Sequence, residues 1–397
     1  MFQSLKILHY IPTYAPAWKF GGPVLSVSQL CEGLVKLGHS VEVFTSTAGL
    51  EPRYGNQRIC RNGVVVNYFK QVPGLGIHCP GMERAVQERG QDFDLIHVTG
   101  VWQRSSFAAC QAAQQKHIPY VISPRGALSP YSWGQKTLKK IIYYVWRERS
   151  NIRGAAAIHY TTLQEFEECK WLNLPGKPFI IPNGLNSSIF SPDIHGAKQW
   201  RQSHGFSEND FILLNVGRLH HKKGLDLLPN VLDTLKNYQW KLIFLGGDDD
   251  GTRDQLQKQF LKRHLLGNVF FLDACEPNEL PAVYTAANLF ILPSRHENFG
   301  NVLVESMACS CPVLISDKVG LHHEILQSGL GWVLPLHPGK WVSILETLMQ
   351  NPIVVQNNAA KTRPWIMDKF TVERVASEMG ELYKNVISTK GGKSLQD

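Results

Sequence analysis

The segment NVGRLHHKKGLDLL, residues 215–228, sets Arg218 and Lys223 on either side of a tight loop that opens where an apolar run ends at Gly217. Two cations beside the start of a helix suit a diphosphate, because the first helical N–H groups have no internal acceptors and the side chains add full charge. Gly224 lets that helix begin close by, and a surface loop with incidental basic residues is the alternative. A second segment, LPSRHENFGNVLVESMACSCPVL at 292–314, holds Glu297 and Glu305. A helix is expected from near Asn301, which puts Glu305 about one turn inside it, where a carboxylate can accept hydrogen bonds from ribose hydroxyls. The backbone N–H groups of Asn298, Phe299, Gly300 and Asn301 would then face anionic or hydroxylated groups of a ligand. Helix capping by Glu297 with a solvated Glu305 is the plainer alternative.

Other chemistry is less well supported. GGDDDGT, residues 246–252, has the acidic spacing of a divalent-cation site, but it lies between an apolar run and TRDQLQKQFLKRH, where its carboxylates are expected to cap a helix. No metal and no cofactor are expected. The eight cysteines are scattered, with no CxxC pair or zinc-like ladder, and read as reduced core thiols. Cys309 and Cys311 sit where a buried strand is expected to begin.

The elements that must position these residues alternate in type, as parallel α/β architecture requires. Strands are expected at LKILHYI, HSVEVFTS, GVVVNYF, FDLIHVTG, PYVISP, AAIHYT and PFIIPNG, then again at DFILLNVG, WKLIFLGG, NVFFLDA, ANLFILPS, CPVLISD and GWVLP. A helix is expected from Pro23 to Gly38. Two doubly wound units in tandem fit a length of 397 residues, joined by the turn-rich IPNGLNSSIFSPDIHG. The expected domains are 1–185, 186–365 and a closing helix over 366–390, with STKGGKSLQD as a frayed tail. With 43% hydrophobic and 19% charged residues, the composition excludes disordered and collagenous classes. No apolar run approaches the ~18–20 residues of a membrane span, and the N-terminal residues lack a signal peptide's long apolar region. A cytoplasmic protein is expected.

Charge is unevenly shared: residues 1–185 hold 20 Lys and Arg against 11 Asp and Glu, and the remainder 21 against 22. A basic half points to an anionic partner. Within it, YSWGQKTLKKIIYYVWRERSNIRG at 131–154 interleaves Tyr131, Trp133, Tyr143, Tyr144 and Trp146 with Lys136, Lys139, Lys140, Arg147, Arg149 and Arg153. On a helix this gives cations flanking an apolar face, the pattern of a segment lying on an anionic membrane; a core-packed helix with a solvated basic side is the alternative. No nucleic-acid module is present.

GRLxxKKG and ENFGxxLxE, with a GGP loop after the first strand and IPNG at the join, together resemble the retaining glycosyltransferases of family 4 with the GT-B fold, over almost the whole chain. That resemblance implies two facing Rossmann-like domains, a closing helix that crosses back to the first, and metal-independent hexosyl transfer with retention. A nucleotide-sugar donor, UDP-glucose by family frequency, would bind the second domain, and a glycan or lipid-linked acceptor of polysaccharide biosynthesis the first. By matching position, Arg218 and Lys223 would hold the diphosphate, Glu297 would meet the donor sugar, and Glu305 the ribose. Gly21 and Gly22 would admit the phosphates, while Ala274, Cys275 and Leu280 would lie near the base. Arg125 stands where family members often place a His; it cannot act as a base but can bind a phosphate. His97, at the end of FDLIHVTG, is a second acceptor-side candidate, with a structural role equally open. The resemblance also implies possible attachment at the inner face of the cytoplasmic membrane. A sugar-nucleotide epimerase of the same fold and a non-catalytic nucleotide-sugar-binding protein are the rival readings. A Rossmann dehydrogenase is disfavoured because no GxGxxG opens either unit.

Overall fold

The structure is a computed structural model describing residues 4–72, 74, 77–135, 137–174 and 178–391. It divides into two units, one running to Gly184 and resuming at Val372, the other Leu185–Thr371.

The first unit holds strands β1 (Lys6–Tyr10), β2 (Ser40–Ser46), β3 (Gln57–Arg61), β4 (Val64–Phe69), β5 (Leu95–Thr99), β6 (Tyr120–Ser123), β7 (Ala157–Tyr160) and β8 (Pro178–Ile180). Their order is β3-β4-β2-β1-β5-β6-β7-β8, parallel throughout except that β3 runs antiparallel to β4. The β3 strand is absent from the expected elements because QRICR is polar and none of its residues is buried. Its signal is the following Asn62-Gly63, both left-handed (φ 48 and 83), which close a tight hairpin. Cys60 on this edge strand is exposed, which corrects the expectation that all the thiols are buried; the described cysteines are all free.

The central strands are buried on both faces, hence their continuous apolar runs. One face packs on helix Gly22–Lys36 and closing helix Val372–Gly391, whose Val375, Ala376, Met379, Leu382, Tyr383 and Val386 enter the same core. Gly33 permits the contact: a Cβ there would stand 2.8 Å from Ala376 Cβ. The closing helix starts at Val372, not 366, because Ile366 and Phe370 bury themselves in the second unit. It also takes in Ser388–Gly391, which were expected to fray; the last six residues of that tail lie outside the described residues.

The second unit has six parallel strands: β9 (Phe211–Val216), β10 (Trp240–Leu245), β11 (Val269–Leu272), β12 (Leu289–Leu292), β13 (Val313–Ser316) and β14 (Trp332–Leu334), ordered β11-β10-β9-β12-β13-β14. Cys309 and Cys311 precede β13, at the end of helix Asn301–Ala308. Because β9 and β12 are neighbours in parallel, the loops that follow them leave the same edge, where doubly wound sheets bind ligands.

Candidate active site

Those two loops carry the residues singled out in the sequence. Beyond Gly217, Arg218 projects from the end of β9, and a short helical turn His221–Lys223 brings the Lys223 ammonium to 2.5 Å from Glu297 Oε2. Both side chains are about one-fifth exposed, so the pair is shielded yet open to a ligand. Gly224 is left-handed, φ 62, and a Cβ on it would fall 2.0 Å from the Pro293 carbonyl oxygen. Only glycine lets the loops come this close. Arg295, which the sequence did not single out, fastens them. Its N–H donates to Lys222 O at 2.8 Å, Nη1 to His221 O at 2.8 Å, and its fork to Asp226 at 2.8 and 2.7 Å. The bidentate pair holds Asp226 below the usual carboxylate range.

The three aspartates after β10 divide their roles. Asp248 accepts from the N–H groups of Thr252 and Arg253, capping helix Thr252–Lys262 as expected. Asp249 instead pairs with Arg218 at 2.6 Å, and Asp250 accepts from His221 and Thr252, which corrects the assignment of all three to capping. His220, His221 and Asp250 have potential ligand atoms within 4.8 Å of one another. The Lys222 N–H donates to His220 Nδ1, however, so the neutral ring carries its proton on Nε2 and offers a cation no lone pair there.

Glu305 lies one turn inside helix Asn301–Ala308, as expected, but it is only 6% exposed and accepts from the Tyr284 hydroxyl at 2.9 Å. Burial raises its carboxyl to about 7. Gly300 is left-handed (φ 85) at the helix start, and the N–H groups of Phe299 and Gly300 find no acceptor among the described residues. The Phe299 ring packs inward against Phe370, so only its backbone can serve a ligand. Asn298 and Asn301 flank it, each engaged within the protein. Cys275, beyond β11, and Leu280, opening helix Leu280–Ala286, are partly buried against the core of this unit.

In the first unit, Gly21 is left-handed at φ 77 immediately before the helix that begins at Gly22, a backbone requirement independent of any ligand. His97 is fully buried, which corrects its reading as an acceptor-side residue. Its Nδ1 lies 2.5 Å from Tyr383 Oη on the closing helix, and its Nε2 lies 2.6 Å from Ser123 Oγ. Ser123 Oγ lies 2.6 Å from His159 Nδ1, whose Nε2 meets the Ile181 carbonyl at 2.8 Å. A carbonyl only accepts, so the donors run one way: Tyr383 to His97, His97 to Ser123, Ser123 to His159, His159 to Ile181. Burial holds His97 and His159 neutral. Arg125 lies in the loop after β6 with φ 56, and its Nη1 donates to Asn183 Oδ1 of the IPNG join.

The 131–154 stretch divides into helices Pro130–Trp133, Thr137–Tyr143 and Arg149–Gly154 around a wider turn Tyr144–Glu148; Lys136 lies outside the described residues. Its aromatic residues do not form one outward face. Trp133, Tyr143 and Tyr144 pack around Trp102, and Lys140 turns in to bond Ser132, because the Trp102 indole offers a buried aromatic surface. Leu138 (73% exposed), Ile141, Ile142, Val145 (65%) and Trp146 (70%) point outward instead, beside exposed Lys139, Arg149 and Arg153. No described helix is long and apolar enough to cross a membrane.

Known proteins resemble the chain over most of its length. Residues 21–184 match the Glycosyl transferase 4-like domain, and residues 196–363 match Glycosyl transferases group 1. The chain is 27% identical over 395 residues to an uncharacterized glycosyltransferase of Methanocaldococcus jannaschii, covering 94% of this chain and 96% of that one. It is 25% identical over 397 residues to a D-inositol 3-phosphate glycosyltransferase of Jonesia denitrificans, covering 92% and 91%. Its fold is similar to that of an Anabaena protein, HepE, solved in complex with UDP-glucose, with TM-score 0.76 and 20% identity over 96% of this chain and all of the other.

Proposed function

The chain belongs to the glycosyltransferases built from these two domains, and from that premise we propose that it moves a hexosyl group from a nucleoside-diphosphate sugar, UDP-glucose as first choice, to an acceptor hydroxyl with retention and without a metal ion. The observation that carries this reading is the Lys223–Glu297 pair, with Arg218 on the same loop as Lys223, at the ends of neighbouring parallel strands. A diphosphate arriving here would meet two cations and the open N–H groups of Phe299 and Gly300, which stabilise the negative charge that grows on the leaving nucleotide. Displacing Glu297 from Lys223 frees its carboxylate to accept from a sugar hydroxyl. Glu305 would accept from the ribose, and the base would lie near Cys275 and Leu280. Metal independence is supported by the aspartates after β10, each already committed to protein donors.

The acceptor in this reading is a glycan or lipid-linked sugar of polysaccharide biosynthesis, met at the cytoplasmic membrane face. Its support is the outward row Leu138, Ile141, Ile142, Val145 and Trp146, edged by Lys139, Arg149 and Arg153. The test is hydrolysis and transfer from a panel of nucleotide sugars with and without EDTA, with UDP affinity measured by calorimetry. We expect UDP-glucose to be used in EDTA and Lys223→Ala to weaken UDP about tenfold or more. Strict Mg²⁺ dependence, or unchanged UDP binding by that variant, would overturn the metal-free clamp.

A further inference from the structure

Among the described residues Arg125 has no ion-pair partner. It is half-buried, its Nε is buried with no hydrogen bond, and its one bond is from Nη1 to Asn183. Among the described residues no carboxylate oxygen lies within 4.0 Å of the guanidinium. Glu165 acts on it only at longer range, because its own oxygens are taken: Oε1 by the Gly126 N–H at 2.6 Å, Oε2 by the Thr161 N–H at 2.7 Å and hydroxyl at 2.8 Å. Three neighbouring rings, His9, His97 and His159, are held neutral by burial and by Arg125 itself, so none competes for an anion or compensates the charge. The left-handed backbone at φ 56 is disfavoured for a long side chain, and such conformations gather at binding sites.

A desolvated guanidinium bonded only to a neutral amide, with no carboxylate in contact among the described residues, is one half of an ion pair. It lies just past the carboxyl end of β6, where doubly wound sheets meet their ligands. We propose that Arg125, steered by Asn183, is an oxyanion-binding subsite of the first unit that takes a phosphate or carboxylate group carried by the acceptor. This rests on the glycosyltransferase reading for the word acceptor, and on the geometry alone for the anion.

The test begins in a Lys223→Ala background, which weakens the donor site, with inorganic phosphate followed by ³¹P line broadening. Adding Arg125→Asn, which removes the guanidinium but tolerates the left-handed backbone, is expected to weaken phosphate about tenfold or more, and Arg125→Lys to weaken it less. Unchanged phosphate binding in the Asn variant, with far-ultraviolet dichroism intact, overturns the subsite. Should the Asn variant not fold, phosphate binding unaltered by Arg125→Lys has the same force, since a point charge does not reproduce the fork. With Lys223 intact, Arg125→Asn is expected to leave UDP affinity within about twofold. A tenfold loss there would assign the anion to the donor diphosphate and overturn the acceptor assignment. Failure of UDP-glucose turnover with phosphate binding preserved would count against the glycosyltransferase reading and not against the subsite.

Discussion

Lys223 and Glu297 meet at 2.5 Å although 74 positions separate them, and the contact is set by a residue that touches neither carboxylate nor ammonium in that pair. Arg295 binds Asp226 and the His221 carbonyl on one loop while belonging to the other. It therefore fixes the distance between the two loops, as a bidentate fork can and a point charge cannot.

Arg295→Ala is expected to lower kcat by about ten- to a hundredfold with UDP affinity changed by less than about threefold, since a misplaced pair costs geometry more than charge. Arg295→Lys should recover little. Steady-state kinetics beside UDP calorimetry checks this, and a loss confined to UDP affinity would show that Arg295 acts as a phosphate ligand.

Tyr383→Phe removes the donor that the buried His97 Nδ1 requires and should lower unfolding free energy by about 1–2 kcal/mol, read from urea midpoints. A shift below the error of the midpoint would mean that the closing helix is held by its apolar residues alone.

Stability should depend on pH in a defined sense. His9 and His159 fall from 6.5 to about 3 on folding and His97 falls too, so the folded state binds fewer protons. Their contribution is complete above 6.5 and is lost progressively as pH falls below it. Glu148 and Glu305, raised from 4.5 to about 7, act oppositely, favouring the fold below 4.5 and less as pH rises to 7. Between 4.5 and 6.5 the two carboxyls offset only part of what the three histidines lose, and below 4.5 the histidines act unopposed. Urea unfolding at pH 7.5, 5.5 and 4 should show its steepest loss in the last interval; equal midpoints at all three would refute the neutral histidine chain.

UDP affinity should rise from pH 6 to pH 8 partly because Glu305, near 7, becomes the carboxylate that ribose hydroxyls prefer. Glu305→Gln should remove that part of the slope and leave the part due to the nucleotide's own phosphate. Identical slopes in both proteins would take Glu305 out of the ribose site.

Binding to anionic vesicles should fall at least about fivefold in the pair Ile142→Glu and Trp146→Glu, both exposed and free of the core, with the fold unaffected. Flotation that does not change would leave the outward apolar row without a membrane role.

The sequence alone determined the alternation of strands and helices, all six strands of the second unit, the two loops that carry Arg218, Lys223 and Glu297, and the helix that carries Glu305. These are local signals: apolar runs of strand length, and glycines where a chain must turn or approach. Tertiary structure decided what each side chain meets. His97 lies in a strand buried on both faces, so alternation could not tell a ligand-facing ring from one paired with Tyr383, 286 residues away. Trp133 and Trp146 look equivalent in a basic stretch, yet one packs on Trp102 and the other faces out, because Trp146 falls within a wider turn, Tyr144–Glu148, that breaks the simple helical periodicity. Arg125 shows the same division. Its charge and loop position are sequence facts, whereas the lack of a carboxylate beside it among the described residues follows from Glu165 being committed to Gly126 and Thr161, a matter of packing that no spacing encodes.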